Sequence, residues 1–297
     1  MPDITNEESL KMMAEEKPQG AFKEFYRRFK KNKLAMVALI VLIFIHLLIF
    51  VGPLFYTVSP EALSPREALQ PPSAAHPLGL DESGRDSLAR LLYGGRISLL
   101  VALFSMLIAV GMGTLVGALA GYFGGAIDMI LMRLTDALMS IPSLFLLLII
   151  FTIFRGGVVT IIIVLGLTSW MGTSRIVRGE VLRWKAEDFV EAEHALGAKS
   201  FWVIFRHILP NAAPSIIVAA SLDIAKAILQ ETSLSYLGLG IQPPTPSLGN
   251  MLMNAQTYVW NAPLQAVWPG LMILIIVICF NTLGDGLRVA LDPRMKH

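Results

Sequence analysis

The sequence predicts an all-α membrane protein with six transmembrane helices, and three observations predict it. Mean hydropathy is +0.63. Only 15% of the residues are charged, against roughly 25% in an average soluble domain. The apolar residues gather in runs of roughly 18 to 25, the length at which a helix crosses about 30 Å of hydrocarbon.

The first run, Leu34 to about Tyr56, is longer than the apolar centre of a secretory signal peptide. The stretch Tyr56-Thr57-Val58-Ser59-Pro60 does not look like a cleavage site, so the run reads as an uncleaved span. Before it, residues 1–33 are polar and end in Lys23, Arg27, Arg28, Lys30, Lys31 and Lys33. After it, residues 57–96 form a polar segment broken by Pro60, Pro65, Pro71, Pro72 and Pro77. Span two is 97–121 and span three is 126–154, with an uncharged centre from Ala137 to Phe154. Span four is 157–174, span five 213–234 and span six 265–283. A charged loop, 175–211, separates spans four and five, and a polar tail runs 285–297.

Basic residues sort to one side. The N-terminal segment carries Lys11, Lys17 and the cluster above; the 175–211 loop carries Arg175, Arg178, Arg183, Lys185, Lys199 and Arg206; the tail carries Arg288, Arg294 and Lys296. The other side carries only Arg66, Arg85, Arg90, Arg96 and Arg155. The positive-inside rule therefore puts both termini and the 175–211 loop in the cytoplasm, with 57–96 outside the cell membrane. Six spans give the even number this requires.

No Asp, Glu, Lys, Arg or His occurs between Thr232 and Gly284, yet Pro243, Pro244, Pro246, Gly249 and Pro263 break that stretch. Irregular backbone at membrane depth survives only inside protein or along a cavity, so 241–264 is expected at the outer interface, largely buried. Tyr258, Trp260 and Trp268 suit an aromatic belt there. In span two, Gly113, Gly117 and Gly121 repeat every fourth residue, a smooth face for close helix packing. In span five, Asp223 and Lys226 stand three apart and Glu231 lies further on. A charge at bilayer depth must be paired or face water, so these three either pair or line a pathway or partner interface. Between Asp81 and Tyr93 a short external helix is expected, with Asp86 as N-cap, a Leu88, Leu91, Leu92 face and a stop at Gly94-Gly95. Asp81, Arg85 and Asp86 there are candidates for docking an external partner.

Enzyme chemistry finds no support. The histidines (His46, His76, His194, His207, His297) lack HExxH-like spacing, and no GxSxG occurs. Gly197-Ala198-Lys199-Ser200 resembles the end of a P-loop but has Ala198 where the motif needs Lys. The single cysteine, Cys279, excludes an intramolecular disulfide and a cysteine metal cage. A net charge of +2 does not suggest nucleic acid.

The 175–211 loop is the most informative segment. Asp188 and Glu191 mark a helix start, Gly197 a break, and Ser200 a possible second cap. Phe201, Ile204, Phe205 and Ile208 then fall on one apolar face, and Pro210 is expected to stop the helix. On pattern alone this is either two short projecting helices or an ordinary connector.

Glu191-Ala192, Gly197 and Leu209-Pro210 resemble the EAA motif of permease subunits of ABC importers, which reads Glu-Ala-Ala, three residues, Gly, nine residues, Ile-x-Leu-Pro. Glu193 replaces the second Ala of the motif, and His207 its Ile. The strings Arg206 to Asn211, His76 to Gly79 with Gly84 to Asp86 and Leu91 to Gly94, Gln242 to Asn250, and Leu283 to Arg288 with Asp292 to Arg294 are similar to the C-type permease of the peptide and nickel branch. The resemblance implies a type I importer permease that is not itself an enzyme and binds no cofactor. It implies a heterodimer with a second permease in the lipid membrane, two cytoplasmic ATPases that hold ATP and Mg, and an external substrate-binding protein. Di- or oligopeptides are the implied cargo; nickel, metal–chelator complexes or glycosides are the alternative within the branch. A secondary transporter or channel, the reading from another class, calls for inverted repeats, and none is apparent. The coupling residues implied are Glu191, Ala192, His194, Ala195, Leu196, Gly197, Ala198, Lys199 and Ser200.

Overall fold

The computed structural model describes residues 21–154 and 156–291. Residues 1–20 with Lys11 and Lys17, the side chains of residues 21–23 with Lys23, Arg155, and residues 292–297 with Arg294 and Lys296 lie outside the described residues. Among the described residues there is no β-strand, only an isolated bridge between Leu80 and Asp86.

The chain opens on an amphipathic helix, α1 (Ala21–Lys31), with Glu24 in its first turn and Arg28, Lys30 and Lys31 in its last. That arrangement complements the helix dipole. Its Phe29 is buried beside Ala35 and Ala290. Asn32 then turns the chain and caps α2 (Lys33–Phe55), accepting a bond from the Ala35 amide at 3.1 Å. Along α2 only the stripe Ala35, Ala38, Leu42, Ile45 and Ile49 is buried. Leu34, Val37, Ile40, Phe44 and Leu47 face outward, as lipid-facing side chains do.

The next helix, α3 (Ser87–Phe123), has 37 residues and crosses the bundle in one piece. The expected stop at Gly94-Gly95 does not occur. Both glycines lie inside the helix because neighbours approach there: a Cβ on Gly94 would sit 3.2 Å from the Ser247 backbone, and one on Gly95 3.1 Å from the Met272 sulfur. The external segment therefore contributes the first turns of span two rather than a separate short helix.

Span three departs most from a single helix. It is two pieces, α4 (Gly125–Met139) and α5 (Ser143–Ile153), bent by 85°. Pro142 is the N-cap residue of α5, and a proline there disfavours helical backbone at the residue before it. Span four is α6 (Val158–Lys185), which runs well past residue 174. Two short helices follow, α7 (Asp188–Ala195) and α8 (Ser200–Val203), then a π turn, Ile204–Ile208, leading into α9 (Leu209–Tyr236). A loop helix, α10 (Leu248–Gln256), precedes α11 (Leu264–Leu291). Among the described residues five helices are long and apolar enough to span a membrane, or six where the bent pair counts as one span.

Helices α1, α7 and α8 share one end of the bundle, the basic end; residues 57–86 and α10 share the opposite end. Packing centres on α3 against α6. A Cβ on Gly113 would lie 2.8 Å from the Trp170 carbonyl, one on Gly117 2.4 Å from the Ser174 carbonyl, and one on Gly121 2.9 Å from the Arg178 carbonyl. The three glycines thus bring the α3 and α6 backbones together. A second core joins α2, α9, α10 and α11 to the first half of α3 through Ile49, Leu92, Ile228, Leu248 and Ile276. Cys279 is buried in it.

Candidate functional site

At the basic end, α7 closes with two bonds: Gly197 N–H donates to the His194 carbonyl at 2.9 Å and Ala198 N–H to the Glu193 carbonyl at 3.0 Å. This is a Schellman closure, which needs a left-handed residue at its centre. Gly197 supplies it, with φ at +83°. The turn leaves Leu196 85% exposed, and Glu191, Ala192, Ala195 and Lys199 are exposed beside it while Ala198 and Ser200 are half-buried. Ser200 begins α8 but does not cap it; Lys199 is the N-cap residue and makes no side-chain cap bond.

The loop is fixed to the bundle by Val190, Val203, Ile204 and Ile208, which pack with Tyr122, Val177 and Val181. Phe201 and Phe205, expected on that face, are mainly exposed. The π turn inserts one residue into the helical register, which rotates Val203 inward and Phe205 outward. Pro210 does not stop the helix either. It occupies the first turn of α9, where a missing N–H costs little. Polar ties complete the joint. The Tyr122 hydroxyl lies 2.8 Å from His194 Nε2, and Lys185 donates to the Tyr122 carbonyl at 2.7 Å.

His207 Nε2 lies 3.3 Å from Glu193 Oε1. The two positions that differ from the EAA pattern thus meet each other. Both side chains are about 30% exposed, so the pair is worth at most about 1 kcal/mol. A double-mutant cycle of Glu193→Ala and His207→Ile, read by thermal unfolding, should give a coupling of about 0.5–1 kcal/mol. The double variant should lose less than the sum of the two single ones.

Of Asp223, Lys226 and Glu231, only Lys226 turns outward. Asp223 is 8% exposed and accepts a 2.7 Å bond from the Thr173 hydroxyl of α6. Glu231 is wholly buried. Its two oxygens accept from Ser98 of α3 at 2.8 Å and Ser235 at 2.7 Å. Polar groups of this chain thus enclose Glu231 and hold Asp223 from behind, leaving Asp223 in contact with the outward-facing Lys226. Ser98 also accepts from the Leu248 amide at 3.3 Å, and Ser235 from the Ile241 amide at 3.0 Å. Glu231 thus ties α3 and α9 to the segment that carries α10. Ser98→Ala should cost about 1–3 kcal/mol, since it leaves a buried acceptor short of a donor. Hydrogen exchange of residues 248–256 should accelerate with it; unchanged exchange would show that this tie does not hold the segment.

The charge-free segment divides. Residues 246–251 are buried, held by a Ser247–Asn250 capping box, whereas 242–244 and 259–261 are exposed. Trp260 is 93% exposed, so 241–264, expected to be largely buried, is buried at 246–251 and Ala255 but not throughout.

Asp81, Arg85 and Asp86 are also buried, at 6%, 7% and 3% exposure. Asp81 bridges Arg85 at 2.7 Å and Arg90 at 3.3 Å. Asp86 caps α3 through the Ala89 amide at 2.7 Å and accepts from the Tyr56 hydroxyl at 2.8 Å, with His76 at 2.7 Å. These residues brace the external segment and are not free to dock a partner. Arg85 is only four residues from Asp81, but Tyr56 is 30 residues from Asp86, and the sequence does not show that these groups close on one another. The same holds for Arg178 with Asp128 and Arg175 with Asp136, two ion pairs that clamp α4 to α6.

This helical bundle with a projecting loop matches a known family model. Residues 113–297 match the binding-protein-dependent transport system inner membrane component. The chain belongs to that family. Residues 20–72 of the permease match the N-terminal transmembrane domain of oligopeptide transport permease C. It is 39% identical to the dipeptide transport system permease protein DppC of Alkalihalophilus pseudofirmus, over 93% of this chain and 90% of that one. It is 38% identical to the oligopeptide transport system permease protein OppC of Bacillus subtilis, over 94% and 92%. A solved structure of the MetNI methionine ABC transporter in an inward-facing conformation shares the fold, with a TM-score of 0.50 at 20% identity, over 68% of this chain and 96% of that one. The permease is thus an integral, multi-pass inner-membrane subunit of an ABC importer with the type I fold, and it is not an enzyme.

Proposed function

We propose that the permease forms one half of a heterodimeric channel that moves di- or oligopeptides into the cell. Two cytoplasmic ATPases, which hold ATP and Mg, drive it, and an external binding protein delivers the cargo. Both termini and the α7–α8 loop lie on the cytoplasmic side, and the 57–86 segment lies outside. The relatives include dipeptide, oligopeptide and glutathione transport permeases, which supports a peptide cargo.

The observation that carries the coupling role is the α7–Gly197–α8 turn. It presents Leu196 at 85% exposure on a base fixed by buried valines and isoleucines. An exposed apolar tip on a rigid base suits insertion into a groove of another protein, and closure of that protein then moves the helices behind the tip. Glu191 and Lys199 flank the tip as polar rim contacts.

Reconstitution tests the reading. Vesicles with both permeases, both ATPases and the binding protein should take up labelled peptide only with ATP and Mg. Uptake that persists without the ATPases would refute the coupling role. A complex that hydrolyses ATP and carries nickel or a metal chelate but no peptide would refute the cargo.

A further inference from the structure

We propose, resting on the peptide reading above, that Lys226 recognises the C-terminal carboxylate of the passing peptide within the translocation pathway. Lys226 lies ten residues before Tyr236, the last residue of α9. At 1.5 Å per residue that is about 15 Å from the helix end, half of a hydrocarbon core about 30 Å thick. A four-carbon stem does not bring the ammonium to either interface from that depth.

The orientation of Lys226 separates it from its neighbours. Its side chain is 69% exposed, whereas that of Asp223 is 10% exposed. Asp223 is anchored from behind by Thr173. The Lys226–Asp223 contact is 3.3 Å, longer than the roughly 2.7–2.9 Å of a charge-assisted bond. It engages one of three ammonium donors. An ammonium set against acyl chains at this depth is costly, so this face of α9 meets water or protein rather than lipid.

The face is mixed: Leu229, at i+3, is 46% exposed, and Gln230 and Ser233 supply its polar side. Gln230, one turn on, accepts from the Ser169 hydroxyl of α6 at 3.3 Å. Ser233 follows at the next turn and is half-buried. Lys226, Gln230 and Ser233 therefore form a stripe at i, i+4 and i+7, flanked by Ser169. A peptide matches this set: its amides suit Gln230 and the serines, and its terminal carboxylate suits Lys226. Asp223 holds the ammonium loosely between transits, so carboxylate binding is an exchange of partners and the cargo can leave again.

The test uses the complete transporter in vesicles, with the binding protein preloaded with a tripeptide as free acid or as C-terminal amide. Uptake is counted per loaded binding protein, so the receptor's own preference drops out. The parent complex should move the free acid about tenfold faster than the amide, the ratio of one charged hydrogen bond. Lys226→Met should bring that ratio to about one, and Lys226→Arg should restore most of it. If Lys226→Met does not assemble, Lys226→Gln takes its place. A ratio near one in the parent, or a ratio unchanged in Lys226→Met, overturns the inference alone. Loss of assembly in both neutral variants also overturns it, placing Lys226 against an acidic group of the second permease. A parent complex that moves neither form overturns the peptide reading and the inference with it.

Discussion

Gly117→Leu should leave almost no folded permease in the membrane. The α3–α6 contact is closest at this glycine. A Cβ there would fall 2.4 Å from the Ser174 carbonyl oxygen, 2.8 Å from Val177 Cβ and 3.0 Å from the Arg178 nitrogen. Two of those three atoms are backbone and cannot rotate away. Overpacking a core usually costs about 1–3 kcal/mol; here four added carbons must separate two helices along their main contact, so the cost lies at or above that range. Gly111→Leu is the matched control, on the same helix, because nothing lies within 4 Å of a Cβ at Gly111. Size-exclusion chromatography of detergent extracts checks both. The expected yields are below about a tenth of the parent for Gly117→Leu and near the parent for Gly111→Leu.

Gly197→Val should give the opposite pattern, normal abundance without transport. A Cβ at Gly197 meets nothing within 4 Å, so the bundle tolerates it. The backbone does not. At a φ of +83° a side chain costs about 1–2 kcal/mol, and a β-branched one is a genuine outlier. The Schellman closure then opens, α8 swings relative to α7, and the Leu196 tip leaves its position. Peptide uptake should fall below about a tenth of the parent, and ATP hydrolysis should no longer respond to loaded binding protein. Gly197→Asn should retain more of both, because asparagine tolerates this conformation better. Parental uptake and coupling in Gly197→Val would reduce the loop to a connector.

The features that periodicity governs were legible in the sequence. Runs of apolar residues marked the spans, and the four-residue glycine spacing in span two marked a close-packing face. A glycine between two short amphipathic stretches marked the turn at 197. Features that depend on pairing across the chain were not legible. Nothing near Glu231 in sequence points to Ser98, 133 residues away, so the sequence left open whether its carboxylate pairs or lines a pathway or partner interface. Asp81, Arg85 and Asp86 read as free external charges because Arg90, Tyr56 and His76 close on them only in three dimensions. The register of 201–208 failed for a local reason: a π turn adds a residue that a 3.6-residue period does not count. The bend of span three at Pro142 was foreseeable from the proline alone, and the apolar run hid it.

Helix α3, at 37 residues, is about 55 Å long. Its last turn carries Tyr122, which touches His194 in the loop at the basic end. Its first turn carries Ser87, whose hydroxyl donates to Gln265 at 2.8 Å at the start of α11. No proline interrupts it. The helix is therefore a stiff rod with a handle at each membrane face. A tilt of about 5° about one tip displaces the other by about 5 Å, close to the 5.4 Å pitch of a helix. A displacement of His194 at the basic end of the bundle should therefore reach the braced segment at the opposite end through the helix itself, with no ligand or charge having to cross between them.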